Sequence, residues 1–411
     1  MKGSARRQEY LRGLKSMLAP NAILVILFNS ANQYGNYMAS GILGKYALDA
    51  LGISAAAVGI CASLYSLGGL LFRAPSGKLV DSHDPKKILL IALIAKLAVF
   101  LAYLVVPPEN VILFGAVRFL HGVTWSFIGV CGPAMLAYYV DRAAIGSAYA
   151  LFLGIQQIVV ASARSVSLSI MASHGATAAF LASAGETLIP IFLVAMMRPS
   201  AKAEETPIAA EAPAEKKGLK DFVCWRLVPL CLMSSLPMMT YAAENTFLPA
   251  LCDSRGVEYL TMLTLATSLS GIVSVLVGVL CDIINPYILC LATLFSNGMG
   301  LFLIGRAETT SMMSLALLLY FGFGKSFNAP FTVVGMKSIT PREVGSFSGT
   351  NLFIDDLFTL IAGSVAGLVA NSYGLGASFQ LIGCLPLAGV LCMLLLKKKI
   401  VPPVLKERPN Q

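Results

Sequence analysis

The chain has 411 residues, of which 57% are hydrophobic and 12% are charged, and its formal net charge is +9. Soluble domains carry roughly 25% charged residues, so this composition excludes a water-soluble globular protein and makes the lipid bilayer the expected solvent. The lysines and arginines are spread over loops between apolar runs, so the positive charge predicts no nucleic-acid partner.

Long apolar runs follow one another along the whole chain. A helix that crosses a bilayer needs about 20 apolar residues. The runs are continuous rather than ten-residue alternations, which favours helices over a β-barrel. We predict an all-α integral membrane protein with twelve transmembrane helices in two pseudo-symmetric six-helix halves. The predicted spans are 19–41, 54–76, 87–106, 110–138, 145–172, 176–197, 224–250, 258–281, 286–304, 310–337, 344–372 and 376–397.

The positive charges predict the orientation of these spans. Lysine and arginine are concentrated before span one, between spans two and three, after spans four and ten, around the middle linker and in the tail. The opposite loops contain only Lys45, Arg255 and Arg306. Because cytoplasmic loops carry the excess of cations, we expect a multi-pass protein of the plasma (inner) membrane with both termini in the cytoplasm.

A polar segment divides the chain in the middle. Residues 199–221 are rich in Ala, Glu, Pro and Lys, which is typical of a flexible cytoplasmic linker. The linker separates an N-terminal six-helix half, residues 1–198, from a C-terminal six-helix half, residues 222–411.

A charged loop predicted over residues 72–87 recurs in reduced form 201 residues later. The residues Gly77, Leu79, Asp81 and Pro85 have the same offsets as Gly278, Leu280, Asp282 and Pro286. A second alignment, counted from Ser147 and Ser346, places Gln156-Gln157 opposite Asp355-Asp356. A repeat at half-chain distance in a membrane protein indicates two homologous halves, as transporters have.

The segment Gly77–Asp81, followed by Pro85, Lys86 and Lys87, resembles the major facilitator superfamily, whose signature G-x-L-x-D-x-x-G-R/K-R/K lies between spans two and three. The chain departs from it at Pro85, where the family usually has Gly. Arg118–Gly122 resembles the family's R-x-x-x-G motif in span four. Residues 71–77 look similar to bacterial sugar-efflux and drug-efflux permeases, although the exporter signature of span five is not clearly present over 154–161.

The resemblance implies a gating role for the charged loop. A carboxylate at Asp81 would attract a neighbouring helix N-terminus and favour the outward-open state, the alternative being a solvated turn. Asp355 and Asp356 are either a gating pair or a proton site. The predicted gating residues are Gly77, Asp81, Lys86, Asp282, Arg142, Asp355 and Asp356.

Ionisable groups within the spans indicate a polar pathway. Each costs at least about 2.5–3.5 kcal/mol at mid-helix, so it should face a cavity or a partner. The resemblance implies that spans one, four, seven and ten line the cavity. The predicted substrate and proton pathway comprises Asn29, Asn32, Gln33, Asn36, Arg118, His121, Arg164, Glu244, Asn245, Lys325 and Asn328. We expect Lys96 and Glu186 to face lipid or neighbouring helices.

The residue types suggest individual roles. Glu244 is either the proton carrier or a structural partner of Arg118 or Lys325. His121, one turn from Arg118, is expected to be a hydrogen-bonded structural residue. The amides of span one suit hydroxyl or amide groups, and the arginines suit a carboxylate or phosphate.

These features predict secondary active transport by alternating access, coupled to protons. We expect a monomer that exports a small polar metabolite or drug; the alternative is proton-coupled uptake of a small organic anion by symport. The sequence has no phosphate-binding GxxxxGK[ST], nucleophile–base pair or metal-ligand cluster. We therefore expect no enzymatic activity, no cofactor and no metal.

Overall fold

The structure, a computed structural model, describes residues 15–140, 148, 152, 155–156, 158–198, 224–338 and 344–400. The α-helices of eight or more residues are α1 (Pro20–Lys45), α2 (Ala55–Ser82), α3 (Pro85–Ala102), α4 (Val111–Tyr139), α5 (Ala163–Met196), α6 (Val228–Ser254), α7 (Leu260–Ile283), α8 (Pro286–Arg306), α9 (Thr310–Leu317), α10 (Asn328–Met336), α11 (Val344–Tyr373) and α12 (Leu375–Leu395). Shorter pieces are the π-helices Tyr46–Ala50 and Leu318–Phe323, the 3₁₀-helices Tyr103–Val105, Trp225–Leu227 and Gly324–Phe327, and α13 (Lys397–Ile400).

All twelve predicted spans contain helix within the described residues. Eight of the described helical segments are long and apolar enough, by length and composition, to cross a membrane. In α5 the backbone of Gly175 is not helical (φ 83°), so this element contains the end of span five and all of span six. Span ten consists of four short helical pieces from α9 to α10. The predicted all-α membrane fold is confirmed.

The chain forms two compact units, each with its own core. The first unit comprises Met1–Gly52 and Leu64–Pro213, and the second comprises Ile53–Ser63 and Ala214–Gln411. In the first, α1 packs along α5, and α3 packs on α4 and α5; in the second, α8 packs along α12, and α6 packs on α11 and α12. The outer faces carry exposed apolar side chains such as Ile112 and Leu395, as expected for surfaces in contact with lipid.

The start of α2 belongs to the second unit because of its contacts with α11. Ser63 Oγ accepts a hydrogen bond from the backbone N–H of Ser364 at 2.9 Å. Small residues on both helices allow this close approach.

The predicted loop over residues 72–87 is wrong. Helix α2 continues to Ser82, so that only His83 and Asp84 separate it from α3. Residues 76–82 contain no proline, and Gly77 is accommodated within the helix. It is Pro85 that ends the helix, because the residue before a proline prefers an extended backbone. Asp84 has ψ 111°, and the equivalent Asn285 before Pro286 has ψ 115°.

The repeat extends to the caps of the helices that follow. Asp84 accepts a hydrogen bond from the Lys86 backbone N–H at 2.9 Å, and Asn285 accepts one from the Tyr287 N–H at 3.1 Å. Lys86 Nζ also donates to carbonyl oxygens near the end of α5, and Tyr287 Oη donates to the Met393 carbonyl of α12 at 2.7 Å. Equivalent positions thus bind the last long helix of each unit.

We expect Asp84→Ala to lower the free energy of unfolding by about 1 kcal/mol, because it removes an N-cap acceptor. Asp84→Asn should leave it nearly unchanged, since the equivalent position of the second unit uses asparagine as its cap. Denaturant titration of purified protein in mixed micelles measures both variants. Equal losses in the two would contradict a capping role.

Candidate functional site

A buried lysine joins spans one and three in the first unit. Lys96 is 1% exposed, and its Nζ donates to the backbone oxygen of Asn32 at 2.9 Å and to its Oδ1 at 2.8 Å. The carboxylate of Glu186, on α5, interacts electrostatically with Lys96 and lies against Gly35 of α1. Lys96 and Glu186 therefore face neighbouring helices, which is one of the two predicted orientations.

His121 is the centre of a second buried polar group. Its Nε2 lies 3.1 Å from Asn36 Oδ1 and its Nδ1 lies 3.2 Å from Tyr103 Oη. Because an amide oxygen can only accept, Nε2 donates to Asn36, and in a neutral imidazole Nδ1 would then accept from the Tyr103 hydroxyl. The ring packs edge-on between Tyr65 and Phe100. Both ring nitrogens of His121 are thus hydrogen-bonded within the first unit, in agreement with the expected hydrogen-bonded residue, and its place on the pathway stays a prediction.

The two predicted pathway arginines are both buried in the first unit. The Arg118 guanidinium lies 4.8 Å from the Tyr65 ring centroid, a cation–π geometry, and is 8% exposed. Among the described residues, no carboxylate lies within ion-pair distance of it. Gly122, at the end of the R-x-x-x-G motif, lets the Tyr65 backbone approach, because a Cβ there would clash with the Tyr65 carbonyl oxygen. Arg164 is buried against Gly41 of α1.

Polar contacts of spans one and five in the first unit, and of spans seven and eleven in the second, support the predicted alignment of Gln156 with Asp355. Asn29 Nδ2 donates to Gln156 Oε1 at 2.7 Å. Ser235 Oγ donates to Asp355 Oδ1 at 2.6 Å, and Asn351 Nδ2 donates to Asp355 Oδ2 at 3.0 Å. The matched residues therefore occupy the same place in their units, with an amide in one and a carboxylate in the other.

In the second unit, a glutamate and a lysine form an ion pair. Glu244 on α6 is completely buried, and its Oε2 lies 3.2 Å from Lys325 Nζ. The ammonium group also lies 4.5 Å from the Tyr241 ring centroid, 5.0 Å from that of Tyr320 and 5.2 Å from that of Phe321. Of the two partners that the sequence left open for Glu244, the structure shows Lys325.

Lys325 lies where span ten is broken. A π-helix, Leu318–Phe323, leads into a 3₁₀-helix, Gly324–Phe327. At Gly324 a Cβ would lie 2.7 Å from the Cα of Asn297, so this glycine allows α8 to pack against the break. Asn297 Nδ2 donates to the Gly324 carbonyl at 3.4 Å. Non-α segments of this kind are frequent at functional sites, and they free backbone groups for other partners.

The remaining pathway residues differ in how far they are buried. Asn245 is half-buried next to Glu244, and Asn328 is exposed at the first residue of α10. Gln33 has a buried Oε1 with no hydrogen-bond partner in the described part of the chain. Of the predicted gating residues, Asp356 is half-buried.

The gating residues of the signature are only partly described. Asp81 and Asp282 lie in the last turns of α2 and α7, and their side chains, like all of Arg142, lie outside the described residues. A Cβ at Gly77 would meet no atom within 4 Å, so packing does not require glycine there. Lys86 binds the end of α5. Over the described residues, no three His, Cys, Asp or Glu side chains are arranged to hold a metal ion.

The sequence identified Lys96 and Glu186 as charges within the spans but did not assign them to the pathway or to each other, and it gave no role to Asn297. Lys96 and Glu186 are single charges within apolar runs, and the cost of burying such charges was the available signal that they form a pair. The sequence contains no signal for the contact of Asn297 with the break in span ten, because this contact depends on which helix packs against the break.

We expect Gly35→Ala to lower the free energy of unfolding by about 1 kcal/mol, because its Cβ would overlap Oε2 of Glu186 and the end of this side chain would have to leave its buried position. Gly185→Ala is the matched control. No atom lies within 4 Å of a Cβ at Gly185, and alanine there should stabilise the helix by up to about 1 kcal/mol. Chemical unfolding in mixed micelles measures both, and a neutral Gly35→Ala would show that the carboxylate does not occupy this position.

Comparison with known proteins gives relatives over almost the whole chain. The family model described as Major Facilitator Superfamily matches residues 25–358. The chain is 26% identical over 433 residues to "Uncharacterized MFS-type transporter YhhS" of Salmonella typhi, covering 97% of this chain and 96% of the relative. It is also 26% identical to the YhhS protein of Escherichia coli K12, covering 96% and 95%.

Solved structures show the same fold. The nucleoside transporter NupG superposes with a TM-score of 0.76 at 14% identity, covering 92% of this chain and 99% of that one. A bacterial homologue of the human lysosomal transporter Spinster, in an inward-facing and occupied conformation, has a TM-score of 0.70 at 10% identity, covering 94% and 98%. The chain therefore belongs to the Major Facilitator Superfamily, a family of secondary membrane transporters.

Proposed function

We propose that the protein is a proton-coupled transporter that exports a small polar metabolite or drug in exchange for protons. The observation that carries this proposal is the buried Glu244–Lys325 ion pair at the break in span ten. A pair of opposite charges next to a break in a helix can be opened and closed without disrupting an intact helix.

The coupling follows from the cost of a lone buried charge. If Lys325 moves away from Glu244, the completely buried carboxylate loses its counter-charge. Taking up a proton neutralises it, whereas staying ionised would be strongly unfavourable. A proton that moves down about 100 mV supplies roughly 2.3 kcal/mol, enough for a roughly fifty-fold gradient of substrate.

A second candidate function is proton-coupled uptake of a small organic anion. Arg118 favours it, since the guanidinium is stacked on Tyr65 and has no carboxylate partner among the described residues. Guanidinium groups bind carboxylates and phosphates with two parallel hydrogen bonds. Arg118 would then be the anchor for the substrate's negative charge.

The proposal includes the organisation predicted from the sequence. Two six-span halves, 1–198 and 222–411, would alternate access in the inner membrane around the linker 199–221, with both termini in the cytoplasm and a monomer as the working unit. The residues named above as the pathway would bind substrate and protons, and the predicted gating residues would control access from each side. The distribution of lysine and arginine supports this orientation.

Transport by purified protein in proteoliposomes tests the proposal. Carboxylates, sugars, nucleosides and lipophilic cations are first screened by the rise in melting temperature they cause, and the best binder is used radiolabelled. Accumulation into vesicles with an acidic lumen supports antiport, and accumulation driven by an acidic exterior supports symport. Transport that is the same with and without an imposed pH gradient, and that a protonophore does not change, would contradict both coupled mechanisms.

A further inference from the structure

We propose that Glu186 is a second proton-binding site, in the first unit, and that Lys96 is its resident counter-cation. The role in transport rests on the proposed function, whereas the binding of a proton at Glu186 does not. Two protonatable carboxylates, one in each unit, would then couple two protons to each substrate.

The first argument is location. Among the described membrane spans of the first unit, Glu186 is the one carboxylate. It lies within α5, the helix that packs along α1. Because α1 carries the amides of the predicted pathway, a change of charge at Glu186 acts on the helix that would contact substrate.

The second argument is an oxygen atom that is left without a partner. Oε2 of Glu186 is buried and makes no hydrogen bond within the described residues. It fills the space that a side chain at Gly35 would occupy. The Gly35 backbone N–H offers the carboxylate a hydrogen bond, but this bond is poorly aligned with Oε2. A buried carboxylate oxygen in this state is costly when it is charged, and a proton lowers that cost because a neutral acid is cheaper to bury than a charge.

The third argument is the balance of charge around the site. Of the elements packed against α5, helix α3 offers the Lys96 ammonium and α1 offers the neutral amide of Asn32. The hydroxyl of Tyr103, in the 3₁₀-helix after α3, is hydrogen-bonded to His121. On α5 itself, Arg164 lies within the same element. Among the charged side chains that the structure describes, Lys96 is the one that acts on Glu186, and Lys96 is already held by two hydrogen bonds to Asn32.

This geometry makes a two-state device. With Glu186 ionised, Lys96 is attracted to both Glu186 and Asn32, which ties α1, α3 and α5 together. With Glu186 protonated, that attraction is lost and Lys96 is held by Asn32 alone. The first unit would thereby respond to protons through a loosely paired carboxylate, and the second through the direct pair of Glu244 with Lys325.

Infrared difference spectroscopy of the reconstituted full-length protein, between alkaline and acidic buffer, tests proton binding directly. We expect the carbonyl stretch of a protonated carboxylic acid to appear on acidification and to be reduced in Glu186→Gln. Glu308→Gln, which alters an exposed loop carboxylate, should leave the band in place. In Lys96→Met the band should persist to more alkaline pH, because the ammonium group that stabilises the ionised Glu186 carboxylate is gone. An unchanged band in Glu186→Gln, or no effect of Lys96→Met, would overturn the proposal.

The double variant Glu186→Gln/Lys96→Met removes both charges and so keeps the site neutral if the single variants fold poorly. It too must lack the Glu186 band. In proteoliposomes under about a tenfold proton gradient, the limiting accumulation ratio should fall from about a hundredfold to about tenfold in Glu186→Gln, as one proton is lost. A Glu186 band without proton-driven transport would refute the proposed function and leave this site standing. Proton-driven transport with an unaltered ratio and band would refute this site alone.

Discussion

Glutamine in place of Glu244 is expected to lower proton-driven accumulation of substrate by about tenfold or more under a tenfold proton gradient. Glutamine keeps the shape and the hydrogen-bonding capacity of the side chain, but it can neither carry a negative charge nor release a proton. Lys325 would then face a neutral side chain in every conformation. The step in which Glu244 takes up a proton as Lys325 moves away would no longer occur. Exchange of labelled for unlabelled substrate, which needs no net proton movement, should continue.

The measurement compares accumulation with exchange in the same proteoliposome preparation. Glu308→Gln is the matched control, because it makes the same chemical change at an exposed loop position. We expect this control to retain both activities. If Glu244→Gln accumulates substrate like the unaltered protein, Glu244 carries no coupled proton, and the ion pair is structural only. The double variant Glu244→Gln/Glu186→Gln should show no accumulation at all.

The membrane fold could be predicted from the sequence because its signal is local. An apolar run of about 20 residues identifies a span without knowledge of its neighbours. The repeat of Pro85 at Pro286 likewise marks a helix start that depends only on nearby residues, and the caps at Asp84 and Asn285 confirm the correspondence. The error over residues 72–82 arose because charged residues were interpreted as a loop, whereas at the end of a long helix they can remain helical outside the apolar core.

The candidate site was predicted only in part, because its contacts join distant spans. Glu244 and Lys325 were both identified as buried charges, and their pairing was one of two options until the fold brought them to 3.2 Å. Lys96 and Glu186 were noticed but not assigned to the pathway, since their interaction depends on how α3 and α5 both pack against α1. The break in span ten contains Gly322 and Gly324, yet glycine alone does not distinguish a π-helix from an ordinary kink.

Lys325→Met is expected to lower the free energy of unfolding by about 3–5 kcal/mol, the cost typical of removing one partner of a buried ion pair. The variant leaves the Glu244 carboxylate completely buried without its counter-charge. It also removes a cation that lies over three aromatic rings, although each such contact is worth less than the loss of charge compensation. Denaturant titration in mixed micelles, at a pH where carboxylates are ionised, gives the value.

The double variant Glu244→Gln/Lys325→Met separates this electrostatic cost from lost packing. Because it leaves no uncompensated charge, it should recover most of the stability that Lys325→Met loses. Lys397→Met is the matched control: Lys397 is exposed and lies 4.4 Å from the Tyr287 ring centroid, so its removal should cost no more than about 1 kcal/mol. If the double variant were as unstable as Lys325→Met, the aromatic packing around the lysine, and not its charge, would be what stabilises the break in span ten.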